Sequence, residues 1–405
     1  MVLLSIVMVT GVRSQQWSRL SSGTANSLYD VFFVNSDTGF VTGDTGMILR
    51  TFNRGATWSA LTTGVNDGFA CIMFPDANTG YASGGFAGGA FTNCTLIKTI
   101  NGGDSWSDIT FAPDKCGGGS YFLNPEVGFY AFADSLFWNS SIARTADGGS
   151  TWETVYSGTG WISYFHFVDA DHGYATVNNG TVLKTADGGF TWFAVNLPGP
   201  LWGSGLFFLD ENIGFVGGGP PSVTVSMYKT INGGLTWSSV TAPNMIFKIL
   251  FTDQTKGYAL SVNTTGAGIM VKSTDAGNTW VTETTPVNNL RGMDFLNNDL
   301  GYAVGDSGAI IKYDKSTGTG NEISMNEWFT LYPNPATNTV TVDFNRMFTE
   351  CPVLKVLNLS GQILKTQVIN HNQNTIDIRD LQAGIYLVEI KSSEGTKQKK
   401  LVVVR

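Results

Sequence analysis

Charge is scarce in this 405-residue chain: 14% of its residues are Asp, Glu, Lys or Arg. The 24 basic residues against 32 acidic ones leave a net charge of −8. That sign repels phosphate backbones and excludes nucleic acid as a natural partner. Histidine is rarer still. His166, His172 and His371 are too scattered to ligate a metal, and nothing resembles a Ser-His-Asp arrangement or a phosphate loop. The four cysteines (Cys71, Cys94, Cys116, Cys351) form no Cys-x-x-Cys pattern, which argues against zinc. Neither metal nor cofactor is expected. No stretch carries a capped helical period, which excludes an α-rich fold. The apolar run Val2–Val9 is too short to span a bilayer, and no other segment qualifies. It reads as the apolar region of a signal peptide over residues 1–14, cleaved near Gln15.

Glycine (49 residues) and aromatics (12%) are plentiful, as in an all-β protein of many short strands and turns. One eight-residue motif recurs six times. It reads TFNRGATW (Thr51–Trp58), TINGGDSW (Thr99–Trp106), TADGGSTW (Thr145–Trp152), TADGGFTW (Thr185–Trp192), TINGGLTW (Thr230–Trp237) and STDAGNTW (Ser273–Trp280). Its tryptophans are 48, 46, 40, 45 and 43 residues apart, the period of a four-stranded propeller blade.

A second motif keeps step. Gly39-Phe40, Gly80-Tyr81, Gly128-Phe129, Gly173-Tyr174, Gly214-Phe215, Gly257-Tyr258 and Gly301-Tyr302 each lie six residues after a phenylalanine (Phe33, Phe74, Phe122, Phe167, Phe208, Phe251, Phe295). Seven units therefore carry six boxes. The segment ending in each Phe is expected to be an inner strand buried on both faces. A basic residue (Arg50, Lys98, Arg144, Lys184, Lys229, Lys272, Lys312) closes each third strand. The seventh unit has no box. The segment at Gln16–Leu20 matches the strands that follow the boxes, with Trp17 one period before Trp58. It is expected to complete the last blade and remove the open edges of the ring. The expectation is a seven-bladed propeller over residues 15–314.

The motif resembles the Asp-box of sialidases, sortilin-type receptors and photosystem II assembly factors. Asp147, Asp187 and Asp275 match its carboxylate position, and Asn53, Asn101 and Asn232 replace it with an amide. Either side chain accepts backbone N–H bonds in a turn. The resemblance implies that the boxes, with Trp58, Trp106, Trp152, Trp192, Trp237 and Trp280, are structural and lie on the face away from any active site.

A small, polar linker is expected at residues 315–327, followed by a β-sandwich, Ig-like in build, at 328–405. There, Tyr332–Pro335 (YPNP), the LSG turn at Ser360-Gly361 and Ala383–Val388 (AGIYLV) resemble the type A sorting domain of type IX secretion, as in secreted Bacteroidota proteins. The resemblance implies handling by that machinery, passage through the periplasm, and a secreted or outer-surface location. Lys397, Lys399, Lys400 and Arg405 make the tail locally basic, as on a solvated edge.

The face opposite the boxes carries loops of uneven length, where binding function tends to sit. Trp161 and Trp202 share one repeat position there and suit stacking on a sugar or peptide. Cys94 and Cys116 are placed on that face as a candidate disulfide. The arginines do not suit a sialidase, because only Arg291 is well placed. Asp44 (TGDTG) and Asp306 (VGDSG) are equivalent positions in neighbouring units. They form a candidate two-carboxylate pair, although Gly-Asp-x-Gly also suits a tight turn. The primary expectation is a monomeric, non-enzymatic binding scaffold for a glycan or protein. The alternatives are a glycoside hydrolase, xyloglucanase- or sialidase-like, and an assembly factor.

Overall fold

The computed structural model describes residues 17–405 except 88–89, 113–114, 135–138, 200, 202, 220–226, 244, 263–265, 316–328, 333, 335, 345–351, 359–361, 370–372, 383, 393–394 and 404–405. The expected signal peptide, most of the linker, Trp202 and the Ser360-Gly361 turn therefore lie outside the described residues. The chain divides into two compact units near residue 318.

The first unit is all-β, built of four-stranded antiparallel blades as in a propeller. Its described residues form seven such sheets. Sheet one runs Leu28–Phe33, Gly39–Gly43, Ile48–Thr51, Ser59–Leu61 in chain order. Sheets two to six repeat that order, starting at Gly68–Met73, Cys116–Phe122, Ile162–Phe167, Gly203–Phe208 and Met245–Phe251. Sheet seven takes Leu290–Asn297, Leu300–Gly305 and Ala309–Asp314, and its fourth strand is Trp17–Leu20. Trp17 pairs with Tyr313 and Leu20 with Ile310.

Burial shifts one strand outward from expectation. The strands buried at every position are the second ones, such as Gly39–Gly43, Gly173–Val177 and Gly214–Gly218. The first strands alternate between buried and half-buried residues, as in Leu28–Phe33. First strands pack on first strands of neighbouring sheets, so one of their sides faces the axis of the ring rather than a neighbour.

The repeated Phe explains the repeated glycine. Each Phe ring lies over the glycine of its own sheet. A Cβ would stand 2.2 Å from Phe122 at Gly128 and 2.3 Å from Phe167 at Gly173. On its other side the ring stacks on the aromatic residue of the preceding sheet. The pairs are Phe74–Phe40, Phe122–Tyr81, Phe167–Phe129, Phe208–Tyr174, Phe251–Phe215 and Phe295–Tyr258. Phe33 stacks on Tyr302 at 3.8 Å between centroids, which joins sheet one to sheet seven. The box tryptophan then meets the Phe edge-on, as Trp192 does Phe167 at 5.9 Å and 88°. Trp17 meets Phe295 the same way, at 5.8 Å and 89°, and so takes the place of the absent seventh box. Each such pair adds about 0.5–1.5 kcal/mol beyond its buried area.

The box turns satisfy most of their own polar groups, the buried indole N–H of Trp58 and of Trp106 being exceptions. In the fourth, Thr185 Oγ1 donates to Asp187 Oδ1 (2.7 Å) and accepts from Gly189 N (3.0 Å). Asp187 also accepts from Thr191 N and Oγ1 (3.0 and 2.5 Å). These bonds, Thr191 first, hold the Asp187 carboxyl down at about 2. In the first box Asn53 accepts from Thr57 N at 2.9 Å, so the amide does the same work. The basic residues tie sheet to sheet. Lys98 Nζ donates to Gly148 O, Lys184 Nζ to Gly233 O and Lys229 Nζ to Ala276 O, at 2.8–2.9 Å, each in the next sheet's box. Sheet seven offers Lys272 no box carbonyl. Lys272 pairs instead with Glu283 (3.9 Å), which also accepts from Trp17 Nε1 (3.3 Å).

In the second unit a three-stranded sheet (Phe329–Tyr332, Thr339–Phe344, Gln373–Asp377) and a four-stranded one (Ile363–Val368, Val353–Leu357, Gly384–Ser392, Gly395–Val403) share one core. Val340, Val342, Val356, Val388, Ile390 and Leu401 lie in it. Val340 and Val342 point into this core, while Thr341 between them is half-buried.

Candidate functional site

On the face opposite the boxes, sheets one and seven present the same construction. The turn at Asp44 closes with Met47 N donating to Asp44 O (3.2 Å), and the turn at Asp306 with Ala309 N donating to Asp306 O (3.2 Å). Thr45 (φ 57°) and Ser307 (φ 55°) adopt the left-handed conformation that non-glycine residues rarely take. The glycines that follow allow close approach by the loop entering the next sheet. A Cβ on Gly46 would lie 1.9 Å from Val65 O, and one on Gly308 1.9 Å from Thr24 O. Thr63 Oγ1 donates to Gly46 O (2.8 Å) and Ser22 Oγ to Gly308 O (2.7 Å), clamping both turns alike.

Backbone bonds close these turns, so the aspartate side chains turn elsewhere. Asp44 Oδ1 accepts from the Tyr29 hydroxyl at 2.7 Å. Asp306 accepts two bonds from Arg291, from Nε and from Nη2 (3.1 Å). Tyr29 and Arg291 occupy one repeat position, four residues before Phe33 and Phe295. The Arg291 guanidinium sits 5.4 Å from the centroid of the Tyr29 ring, which joins the two halves into one array: Asp44, Tyr29, Arg291, Asp306. Burial first, and then the bond to Asp44, push the Tyr29 phenol up to about 12. The bond to Asp306 raises Arg291 further still. Both donors keep their protons at any physiological pH.

The sequence pattern paired Asp44 with Asp306 and separately named Arg291 as the one well-placed arginine, but it missed Tyr29. The position four before the Phe holds Tyr, Ala, Gly, Ser, Ser, Phe and Arg around the ring, and carries no visible repeat. The one available signal was that sheets one and seven, which alone carry Gly-Asp-x-Gly, both place a large side chain there. Trp161 is half-buried, and its N donates to Asn178 Oδ1 (2.7 Å), which anchors it to the turn of sheet four. Trp202 lies outside the described residues. Cys94 is buried beside the Tyr130 hydroxyl, and the Cys116 side chain lies outside the described residues, so the expected disulfide falls there too. His166 is half-buried; desolvation drives it down to about 4, and its Nε2 meets Phe208 O at 2.9 Å. Among the described residues no group of three or more His, Cys, Asp or Glu is placed to hold a metal ion.

Residues 330–404 match the secretion system C-terminal sorting domain, and residues 9–163 match the photosynthesis system II assembly factor YCF48. A C-terminal sorting domain marks the chain for export. The fold is similar to that of YCF48 bound to D1 peptide (TM-score 0.60, 17% identity, 75% of this chain and 98% of that one). It is also similar to the GH74 xyloglucanase from Xanthomonas campestris (TM-score 0.57, 12% identity, 81% and 59%). The GH74 enzyme of Niastella koreensis is alike to the same degree (TM-score 0.57, 13% identity, 96% and 75%). No curated protein sequence matches the chain.

Proposed function

We propose that this chain is an exported, seven-bladed β-propeller that binds its ligand without chemistry, on the face opposite the box turns. The array of Tyr29, Asp44, Arg291 and Asp306 is the centre of that surface. One observation carries the reading: each carboxylate is already bonded to a donor that keeps its proton. An acid/base pair needs one carboxyl able to donate a proton and one free to attack or activate water. Asp306, held by two guanidinium bonds, is poorly suited to the first role. Asp44, with one oxygen on a phenol, keeps lone pairs for a ligand's N–H or O–H groups. A polypeptide ligand has a precedent in the similar YCF48 structure, which is bound to a peptide. Residues 328–405, read as an Ig-like sandwich, carry the export signal for type IX secretion.

A second reading stays in view because the fold also resembles two GH74 enzymes and because Asp44 and Asp306 do meet in one array. The test combines peptide and glycan arrays with a xyloglucan hydrolysis assay on the intact protein. Asp44→Ala and Arg291→Ala are each expected to weaken capture by about tenfold or more, near 1.4 kcal/mol. Hydrolysis should stay at the blank. Turnover that disappears in Asp306→Asn would instead establish the hydrolase. The backbones around Cys94 and Cys116 are neighbours, since a Cβ on Gly117 would lie 3.3 Å from Cys94 Cα. A thiol count of two on the unfolded, unreduced protein is expected if Cys94 and Cys116 pair.

A further inference from the structure

The axis of the ring holds charged groups that the ligand face does not use. The position three residues before each repeated Phe is Asp30, Cys71, Gly119, Tyr164, Gly205, Lys248 and Gly292 in sheets one to seven. Lys248 Nζ of sheet six donates to Asp30 Oδ1 of sheet one. These sheets are not neighbours, because sheet seven stands between them. The residue of sheet seven at that level is Gly292, and a Cβ there would come within 2.6 Å of Tyr29 O and 2.7 Å of Asp30 Cα. The missing side chain lets the inner strand of sheet seven sit close to that of sheet one. The other Asp30 oxygen accepts from Ile72 N of sheet two at 3.1 Å. Sheet seven adds Asp294, whose Oδ2 accepts from Phe33 N of sheet one at 2.7 Å.

This arrangement lies at the seam where the two ends of the propeller unit meet. The outer closure of that seam is the strand Trp17–Leu20, held by its pairing with Ala309–Asp314 and by Trp17 on Phe295. We propose that Lys248 and Asp30 form a second, inner closure of the ring, which links sheets six and one directly and holds the axis shut when the outer strand frays. The pair is independent of the outer strand, since neither residue belongs to sheet seven. It is also well hidden, with side-chain exposures of 19% and 9%. A buried pair of this kind adds little net stability over an apolar substitute, but it fixes which partners meet. That is the property a seam needs.

The test is a cycle in the full-length chain, read by hydrogen exchange at single amides. Trp17→Ala loosens the outer strand. Asp30→Asn with Lys248→Met removes both charges of the inner pair, and reading the cycle near pH 5, where Asp294 still holds its proton, keeps that carboxyl from becoming a lone charge once Lys248 is gone. The carboxamide introduced by Asp30→Asn would still offer Ile72 N an acceptor. With Trp17→Ala alone, amides of the Ala309–Asp314 strand are expected to exchange about tenfold faster or more, while Phe33 and Ile72 keep their protection. Adding the neutral pair should then release Phe33 and Ile72 together with the outer strand. The proposal is overturned if Trp17→Ala alone exposes Phe33 and Ile72 as much as the outer strand. It is equally overturned if the neutral pair changes their exchange by the same factor with and without Trp17. Where Trp17→Ala does not fold, Trp17→Phe runs the same cycle with a milder loosening.

Discussion

The two faces of the propeller unit are built on opposite plans. On one, six turns are near-copies, and most of their hydrogen bonds close within the turn or on a neighbouring sheet. On the other, the Gly-Asp-x-Gly turns of sheets one and seven agree, and their aspartates reach out of the turn to Tyr29 and Arg291. A face repeated around the ring holds the blades. The second face is the one on which ligand binding is proposed. The contrast can be broken from either side, and the expected effects differ in size.

The largest effect belongs to the aromatic sandwich. In Gly173→Ala the new Cβ would meet Phe167 at 2.3 Å with no free direction for the ring, and a loss of about 3 kcal/mol is expected. Gly64→Ala, which has open space around its Cβ, should lose only about 1 kcal/mol, from its positive φ. Thermal melts of the two variants side by side check the difference.

Next comes Asp294, half-buried at the axis. Burial first pushes its carboxyl up to about 6, against the pull of Phe33 N–H and Lys248. The unfolded carboxyl titrates near 4, so the folded state binds the proton more tightly. The benefit is complete below the unfolded value and is lost as pH rises through about 6. Asp294→Asn keeps an acceptor for Phe33 N and should gain about 2–3 kcal/mol relative to wild type at pH 8, but little at pH 4. Melts across that range would show two converging curves. Parallel curves would remove Asp294 as their cause.

Thr185→Val follows. It keeps the shape of the fourth box but removes the oxygen that serves Gly189 N and Asp187, for an expected loss of about 2 kcal/mol. Smallest in stability is Arg291→Lys on the other face, expected within about 0.5 kcal/mol because the residue is part-exposed. It should nonetheless weaken ligand capture, since an ammonium cannot reproduce the paired guanidinium bonds to Asp306. A drop in melting temperature larger than that of Thr185→Val would make Arg291 a structural residue.

Much of this was legible in the sequence. The period, the boxes and the closing strand at Trp17 were all visible, because each is a local pattern that recurs. What stayed hidden crosses between repeats. The glycine before each aromatic recurs in the sequence without a visible reason until Phe167 is seen lying over Gly173. The basic residue ending each third strand had no assigned partner until Lys184 was found on the carbonyl of Gly233. Tyr29 went unnoticed because its position varies freely. Asp30, Lys248 and Asp294 were missed because three separate strands bring them together. The burial of inner strands was misplaced by one strand, since the axis of the ring leaves no trace in hydropathy.

The pairing of Trp17 with Tyr313 also sets an order of events in time. These partners are about 300 residues apart in the chain. The strand Trp17–Leu20 must stay unpaired until the last strand of the unit, made much later, has been synthesised. Contacts of such long range make folding slow and leave apolar edges exposed meanwhile. In a chain bound for export, the seam at Trp17 is therefore the part of the unit that stays open longest.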